Sequence, residues 1–268
     1  MVRRVESSSR YGRLVRRLEL GGVLVDHVAR EQVVEEICES CERMRPLHVV
    51  TVNIHFLTLA RRLPAFRRVI NGAGLTVVDG RILLWASRLI GCPLPEQITG
   101  HDVMSDCIRL AAARKFRVLL LGGAPGVADQ VALTLRGRHP APEVKALHGG
   151  RFSEEGGTDD VALAAEVRKF KPHMSFVALG APKQEMWIAR NIRALELGTA
   201  VGVGGVFDTL AGRLPRAPRW LQIAGLESLF QLIVEPRRYW RRYLLEDPPT
   251  LIQLVREIVA RRLKDANG

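Results

Sequence analysis

The sequence LTVVDGR, residues 75–81, is an apolar run with the pattern of a short buried strand, followed at once by a carboxylate and a glycine, Asp79 and Gly80. In open α/β sheets, ligands bind outside the carboxyl ends of the strands, so an aspartate at this position is well placed to react. Aspartate is also a preferred N-cap residue, and on the pattern alone a cap of the following helix is the better interpretation. The rest of the chain has to decide between the two.

Strand and helix patterns alternate on both sides of this stretch. Apolar runs of strand length occur at residues 21–25, 47–52, 75–78, 117–121, 143–147, 174–179 and 199–203. Amphipathic helix patterns separate them, and the helix that begins near residue 54 is expected to break at Pro64. This alternation predicts an α/β fold, with a largely parallel sheet and helices on both faces.

The pattern changes after about residue 212, where strand signals stop. Three helix-like runs follow, at residues 218–234, 235–245 and 249–264. We predict a flexible basic N-terminal tail, an α/β core and a basic helical appendage, at residues 1–20, 21–212 and 213–268. Arginine, tryptophan and tyrosine are interleaved in the appendage, which fits a solvated cap whose aromatic rings pack on the core. Contact with a membrane surface is the stronger interpretation, because tryptophan and tyrosine favour interfaces with one wet and one apolar side.

The balance of charge is strongly basic. The chain has 40 Lys and Arg residues against 28 Asp and Glu, a net charge of +12, so one face is expected to attract phosphate from a nucleic acid, a nucleotide or a lipid headgroup. The sequence contains no recognised nucleic-acid-binding module, so nucleic acid is not an expected partner. No segment approaches the roughly 20 apolar residues of a membrane span. The four cysteines do not form a disulfide framework in 268 residues, which indicates a reducing, cytoplasmic location.

Glycine-rich turns follow three of the predicted strands, at residues 121–126, 180–182 and 202–205. Each turn can expose backbone N–H groups to a phosphate at the start of a helix. Together with Thr51, Asn53 and Asp79, the turns repeatedly place polar groups at the ligand-binding edge of the predicted sheet. A ligand site at this edge is therefore expected.

Several common chemistries are not indicated. Cys38 and Cys41 form a CxxC, but they lie inside a helical run with no second pair, so no metal site is predicted. The glycines at 202–205 do not complete the GxGxxG of a dinucleotide-binding fold, so no nicotinamide cofactor is predicted. No P-loop, GxSxG, HExxH or kinase motif is present.

Specific phrases of the sequence occur in the order found in a known family. They are TVN at 51–53, VDG at 78–80, ITGHD at 98–102, LGGAPG at 121–126, GAPKQEMW at 180–187, VGVGGVFD at 201–208, AG at 211–212, RAP at 216–218, GLE at 225–227 and EPRR at 235–238. Over about residues 21–243 the chain resembles the WecG/TagA/CpsF glycosyltransferases. The resemblance implies a Rossmann-like α/β core and a C-terminal helical appendage that associates with the membrane and helps to complete the site.

The resemblance also implies an activity. Members of the family transfer a sugar from a UDP-sugar to a polyprenyl-diphosphate-linked sugar, with inversion and without an essential metal ion, in the synthesis of cell-surface polysaccharides. We therefore expect an enzyme similar to the N-acetylmannosaminyltransferases that moves N-acetylmannosamine or a related hexose without a cofactor. It is expected to act at the anionic inner face of the cell membrane as a peripheral protein. Whether it forms a homo-oligomer is left open.

Roles for individual residues follow from the same resemblance. Asp79 matches the proposed general base that deprotonates the acceptor hydroxyl. Thr51 and Asn53 match residues beside that base, where they can orient a sugar. The other predicted substrate-binding residues are Lys183, Gln184, Gly204, Gly205, Asp208, Arg238 and Arg241. Two of these have alternatives, since Lys183 equally fits an exposed residue at a helix start and Asp208 fits an N-cap.

Two positions depart from the family pattern. The family commonly has arginine where this chain has Gln97 and Gln231. Losing two guanidiniums from a diphosphate site would remove charge-assisted contacts worth about 1.5–3 kcal/mol each where they are well placed. Arg238 and Arg241 remain as candidates to stabilise the leaving group. The alternative function is therefore a catalytically impaired sugar-nucleotide-binding or scaffold protein of the same pathway.

Overall fold

The computed structural model describes residues 4–8, 14–148, 161–223 and 225–266. The strands are β1 Arg4–Ser8, β2 Leu14–Leu20, β3 Val23–Asp26, β4 Leu47–Val52, β5 Leu75–Val78, β6 Arg117–Gly122, β7 Glu143–Leu147, β8 Met174–Ala178 and β9 Thr199–Gly202. The helices of the core are α1 Arg30–Glu42, α2 Ile54–Arg62, α3 Pro64–Asn71, α4 Arg81–Leu89, α5 Gly100–Arg114, α6 Val127–Arg136, α7 Val161–Phe170, α8 Lys183–Asn191 and α9 Val206–Leu210. The helices that follow are α10 Arg219–Ile223, α11 Glu227–Val234, α12 Pro236–Arg241, a π-helical turn Arg242–Glu246 and α13 Asp247–Ala266.

The central sheet has six strands in the order β5-β4-β9-β8-β6-β7. Every neighbouring pair is parallel. All residues of β4, β5, β8 and β9 are buried, as strands covered by helices on both faces must be. The predicted α/β fold is confirmed, including the helix break before Pro64, which is the first residue of α3.

The two faces of the sheet bury alternate residues of the same strands. Val49 points to the face covered by α1, α5 and α6, whereas Val50 and Val52 belong to the core under α2, α3 and α4. The apolar runs of the parallel strands therefore supply two cores at once. Because all six strands run in the same direction, their carboxyl ends meet at one edge, which is where the site lies.

The prediction of a flexible tail over residues 1–20 is wrong for residues 14–20, which form β2. Strands β1, β2 and β3 form a separate antiparallel sheet. Leu18 and Leu20 alternate with polar residues in β2, and both are buried against the core under α2 and α3, because a strand with period-two alternation presents one apolar face. The predicted strand at 21–25 begins later, at Val23, since Gly21 and Gly22 have positive φ values and form the turn between β2 and β3.

The appendage is helical, as predicted, but its helices are divided differently. The predicted run at 218–234 is two helices, α10 and α11, separated near Gly225, whose φ is +72°. The predicted run at 235–245 is α12 together with part of the π-helical turn. Leu254 and Ile258 of α13 are buried in the same core as Val50, so the last helix packs onto α2 and α4. Where one domain ends and the next begins stays a prediction.

Candidate active site

A cleft of about 560 Å³ opens at the carboxyl edge of the sheet. Its floor is built from the residues that directly follow β4, β5, β8 and β9, because these strands are neighbours and end at the same level. Helices α11 and α12 and the π-helical turn form the opposite wall. The predicted site residues that line the cleft are Thr51, Asn53, Asp79, Gln184, Gly204, Gly205, Arg238 and Arg241.

Asp79 follows β5 and does not cap the next helix. The N-cap of α4 is Gly80, and no side chain caps that helix. The Asp79 turn is held to the segment before α5, because the Gln97 amide donates a hydrogen bond of 2.6 Å to the Asp79 carbonyl and the Ile98 N–H donates one of 2.7 Å to the Val78 carbonyl. The cap interpretation is therefore wrong, and the carboxylate is left to face the cleft.

Burial raises the pKa of Asp79 to about 8. The nearby carboxylates of Glu227 and Asp102 raise the pKa further, while the Arg242 guanidinium lowers it. A carboxyl group in such surroundings holds its proton at neutral pH. A group whose pKa lies near the working pH suits general acid–base chemistry, because it both accepts and releases a proton there.

Asn53 connects the Asp79 turn to the start of α2. Its Oδ1 accepts hydrogen bonds from the N–H groups of His55 and Phe56, at 3.1 and 3.4 Å, and so caps the helix. The same oxygen accepts a hydrogen bond of 3.4 Å from Arg242 Nη2. A Cβ atom added to Gly80 would lie 3.5 Å from Asn53, so the two turns are in contact. The Asn53 amide nitrogen is the donor that remains for a ligand.

Gln184 ties two glycine turns together. Its Oε1 accepts hydrogen bonds of 3.1 Å from both Gly180 N–H and Gly204 N–H, and its Nε2 donates one of 2.7 Å to Glu185 Oε1. Gln184 is only 4% exposed. A Cβ atom at Gly202 would lie 2.6 Å from both the Gln184 amide nitrogen and Glu185 Oε1, so this position of the VGVGGVFD phrase has room for glycine alone. Gln184 therefore shapes the cleft floor.

We expect Gln184→Ala to destabilise the protein. The substitution removes the acceptor of two N–H groups and leaves the buried Glu185 carboxyl without its amide partner. Each unsatisfied buried group costs about 1–3 kcal/mol, so the free energy of unfolding in urea should fall by about 2 kcal/mol or more. Gln130→Ala, an exposed glutamine of α6, is the control. Equal unfolding free energies for the two variants would contradict a stabilising role for the Gln184 hydrogen bonds.

The appendage wall is made of arginine side chains and aromatic rings. The rings of Tyr239 and Tyr243 stack with their centroids 5.6 Å apart. The Arg242 guanidinium lies 5.0 Å from the Tyr243 ring centroid and 6.0 Å from that of Tyr239, and Arg238 lies 5.3 Å from the Tyr239 centroid. Arg241 also lines the cleft. Rings that hold guanidiniums in place leave their N–H groups available to an anionic ligand.

The sequence model of the Glycosyl transferase WecG/TagA/CpsF family matches residues 18–264. The chain belongs to this family. The N-acetylglucosaminyldiphosphoundecaprenol N-acetyl-beta-D-mannosaminyltransferases of Staphylococcus aureus strains NCTC 8325 / PS 47 and MRSA252 are each 29% identical to it over 227 residues. The match covers 84% of this chain and 87% of each relative. The resemblance found in the sequence is confirmed, and the protein is a glycosyltransferase.

Two of the predicted site residues of this glycosyltransferase do not line the cleft. Lys183 is the first residue of α8 and lies outside the cleft wall. Asp208 is the third residue of α9, whose N-cap is Gly205, so the alternative of an N-cap is also wrong. The Asp208 carboxylate forms an ion pair of 3.4 Å with Arg238. Its place in the structure is therefore behind the appendage wall, where it orients a guanidinium.

Other residues of the glycosyltransferase line the cleft without having been predicted as site residues. Among them are Arg81, His101, Arg216, Glu227, Tyr239 and Arg242. His101 donates from Nε2 to Thr209 Oγ1 at 2.6 Å, and the Thr209 hydroxyl donates to the Val206 carbonyl at 2.9 Å. Burial and the positive charge of Arg216 lower the pKa of His101 to about 4, so this imidazole is neutral. Arg81, His101 and Glu227 lie in or beside the phrases that carry the family resemblance, which was the available signal for them.

Two further observations concern the described part of the glycosyltransferase. Within it, no group of three or more His, Cys, Asp and Glu side chains is arranged to hold a metal ion. None of its helices is long and apolar enough to cross a membrane. Metal independence stays a prediction.

Proposed function

We propose that this glycosyltransferase moves N-acetylmannosamine or a related hexose from a UDP-sugar to a polyprenyl-diphosphate-linked sugar, with inversion. The observation that carries the proposal is the position of Asp79, a carboxylate facing a cleft whose opposite wall is lined by arginines. A base on one side and cations on the other suit a reaction in which a hydroxyl is deprotonated while a diphosphate leaves. The names of the Staphylococcus aureus relatives support the acceptor class and the sugar.

The proposed reaction is a single displacement. The acceptor hydroxyl gives its proton to the Asp79 carboxylate as its oxygen forms a bond to the anomeric carbon. The bond from that carbon to the β-phosphate oxygen breaks, and UDP leaves with the electron pair. Asp79 must be ionised before it can accept the proton, so the reaction should speed up as the pH rises toward the Asp79 pKa of about 8.

The leaving diphosphate needs positive charge from the appendage. Arg241 and Arg242 suit this role. Arg238 is shared between two carboxylates, Asp208 and Glu235, at 3.4 and 3.2 Å, whereas within the described residues Arg242 pairs with one, Asp247, at 3.5 Å. Guanidinium N–H groups match the geometry of phosphate oxygens and act most strongly where water is excluded.

The two glutamines at family arginine positions serve the structure of the cleft. Gln97 holds the Asp79 carbonyl, and Gln231 accepts a hydrogen bond of 2.6 Å from the Tyr243 hydroxyl. Arg81 and Arg216 bring other guanidiniums to the cleft. These contacts favour a working enzyme over the alternative of an impaired binding protein.

Association of the enzyme with the inner face of the membrane is part of the proposal. The appendage exposes large apolar side chains next to its arginines, and an amphipathic surface of this composition binds an anionic bilayer. The most exposed of them are Trp220, Ile223, Leu229, Ile233, Leu244, Leu245, Ile252, Val259 and Leu263. The acceptor carries a polyprenyl chain, so docking on the membrane would bring the cleft to its substrate.

A release assay tests the proposal. The purified protein is incubated with a panel of UDP-sugars, with and without a short-chain polyprenyl-diphosphate-linked N-acetylglucosamine, and UDP is measured. We expect UDP release with one donor or a few, dependent on the acceptor and unchanged by EDTA. Binding of a UDP-sugar without UDP release from any pair would instead support the sugar-nucleotide-binding or scaffold function.

A further inference from the structure

Asp247 is a buried carboxylate that lies behind the cleft wall. It is the first residue of α13 and is 5% exposed. Its Oδ1 lies 3.0 Å from His55 Nδ1 and 2.9 Å from Thr58 Oγ1, and its Oδ2 forms an ion pair of 3.5 Å with Arg242 Nε. One carboxylate therefore joins α13, the start of α2 and an appendage arginine, Arg242, that lines the cleft.

The π-helical turn is what brings Asp247 and Arg242 together. Residues five apart on an α-helix point about 140° away from each other. In the π-helical turn the Asp247 N–H donates to the Arg242 carbonyl, and this i→i+5 bond winds the chain more widely. Both side chains consequently lie on the side that faces the core.

Arg242 carries the connection into the cleft. Its Nη2 donates to Asn53 Oδ1 at 3.4 Å, next to the turn that holds Asp79, and its guanidinium lies over the Tyr243 ring. The positive charge of Arg242 favours the ionised form of Asp79, against the opposing effects of Glu227 and Asp102. Asp247 has no place in the cleft lining, but it contacts two residues that line it, His55 and Arg242, and of these Arg242 is the one whose charge acts on Asp79.

We infer that Asp247 is a positioning residue of the transfer reaction: its ion pair holds the Arg242 guanidinium beside Asp79 and makes a working cleft depend on α13 being docked on α2. The inference rests on the proposed function. It assigns a role to the last helix that is separate from membrane contact, because the groups involved are buried. Detaching α13 would release Arg242 from the base and from the leaving diphosphate together.

The variant Asp247→Asn tests the inference, because it keeps the size of the side chain and removes its charge. An asparagine keeps one carbonyl oxygen but carries no negative charge, so the attraction that holds the Arg242 guanidinium is lost whichever way the amide is turned. We expect turnover to fall by about 100-fold, as a misplaced cleft group can cause. We also expect the pH midpoint of the rate to rise, because the favourable charge of Arg242 moves away from Asp79.

Thr58→Val is the matched control. It removes a hydroxyl that contacts Asp247 Oδ1 but leaves the ion pair with Arg242, so it should lower Tm without moving the pH midpoint. The ionisation of Asp79 is also measured without turnover, from the carboxyl infrared band that disappears in Asp79→Asn. Asp247→Asn should shift this band's titration to higher pH. Identical midpoints in Asp247→Asn and the wild-type protein would overturn the inference.

Two further experiments distinguish failure of the inference from failure of the variant to fold or of the proposed function. If Asp247→Asn folds poorly, Arg242→Gln is used in its place, and the midpoint should rise in the same direction. In the Arg242→Gln background, adding Asp247→Asn should move the midpoint no further, and an additional shift would contradict action through Arg242. If the wild-type protein releases no UDP from any pair, the proposed function fails, and the infrared titration still decides whether Asp247 places Arg242.

Discussion

Asp79→Asn is expected to lower turnover by about 1,000-fold while leaving UDP-sugar binding nearly unchanged. The substitution keeps the shape of the side chain and removes the carboxylate proposed as the base, and general base catalysis is worth about 10²–10⁴-fold. Turnover is measured by UDP release, and donor binding by calorimetry. In the wild-type enzyme the rate should rise with pH and level off above the Asp79 pKa of about 8. An Asp79→Asn enzyme with the wild-type rate would remove Asp79 as the base.

Asp79→Asn should become more stable relative to the wild-type protein as the pH rises. The folded-state pKa of Asp79 is raised above its ordinary value, so the folded protein keeps a proton that the unfolded chain loses. The wild-type protein therefore loses stability from this group between about pH 4 and pH 8, and the asparagine variant does not. The Tm of Asp79→Asn should equal that of the wild-type protein at acid pH and exceed it increasingly toward pH 8.

Glu227→Gln is the matched control within the same cleft. It is also an isosteric neutralisation, but it removes a negative charge that raises the Asp79 pKa. The pH–rate profile of Glu227→Gln should accordingly move to lower pH and still depend on Asp79. If the pH dependence of the rate were lost in Glu227→Gln and kept in Asp79→Asn, Glu227 and not Asp79 would be the base.

The location of the cleft could be predicted from the sequence because the determining signals are local. The run at 75–78 is apolar at three of its four positions, Thr76 being the exception, which indicates a strand buried on both faces, and the residue after such a strand lies at the ligand-binding edge. The role of Asp79 was ambiguous for the same reason, since a carboxylate before a helix also looks like a cap. Only the position of Gly80 as the N-cap, which depends on where α4 begins, separates the two.

The parts that sequence reasoning missed depend on contacts between distant segments. Leu18 and Leu20 are spaced for a strand, but the arginines that precede them give the segment the composition of a tail, and its pairing with β3 is tertiary. Arg242 was visible only as one arginine among many in a basic helix. Its selection for the cleft requires the π-helical turn and Asp247, and no local propensity distinguishes a π-helical turn from the α-helix around it.

Removing residues 213–268 is expected to abolish measurable turnover and liposome binding together. The deletion takes away the arginines and tyrosines of the cleft wall, so the leaving diphosphate loses the appendage cations and the cleft opens to water. It also uncovers the core under α2 and α4 where Leu254 and Ile258 are buried. This deletion alone therefore cannot separate catalysis from membrane contact.

The triple variant Trp220→Ser, Ile233→Ser, Leu244→Ser separates catalysis from membrane contact. These side chains are 65%, 70% and 59% exposed, and none lines the cleft. Burying a large apolar side chain contributes about 1.5–3 kcal/mol, so the triple variant should bind anionic liposomes at least about 100-fold more weakly. Its UDP release with a short-chain, water-soluble acceptor should stay close to that of the wild-type enzyme, because the cleft wall remains. Leu133→Ser, with an equally exposed leucine on α6, should change neither property, whereas undiminished liposome binding by the triple variant would place the membrane contact elsewhere.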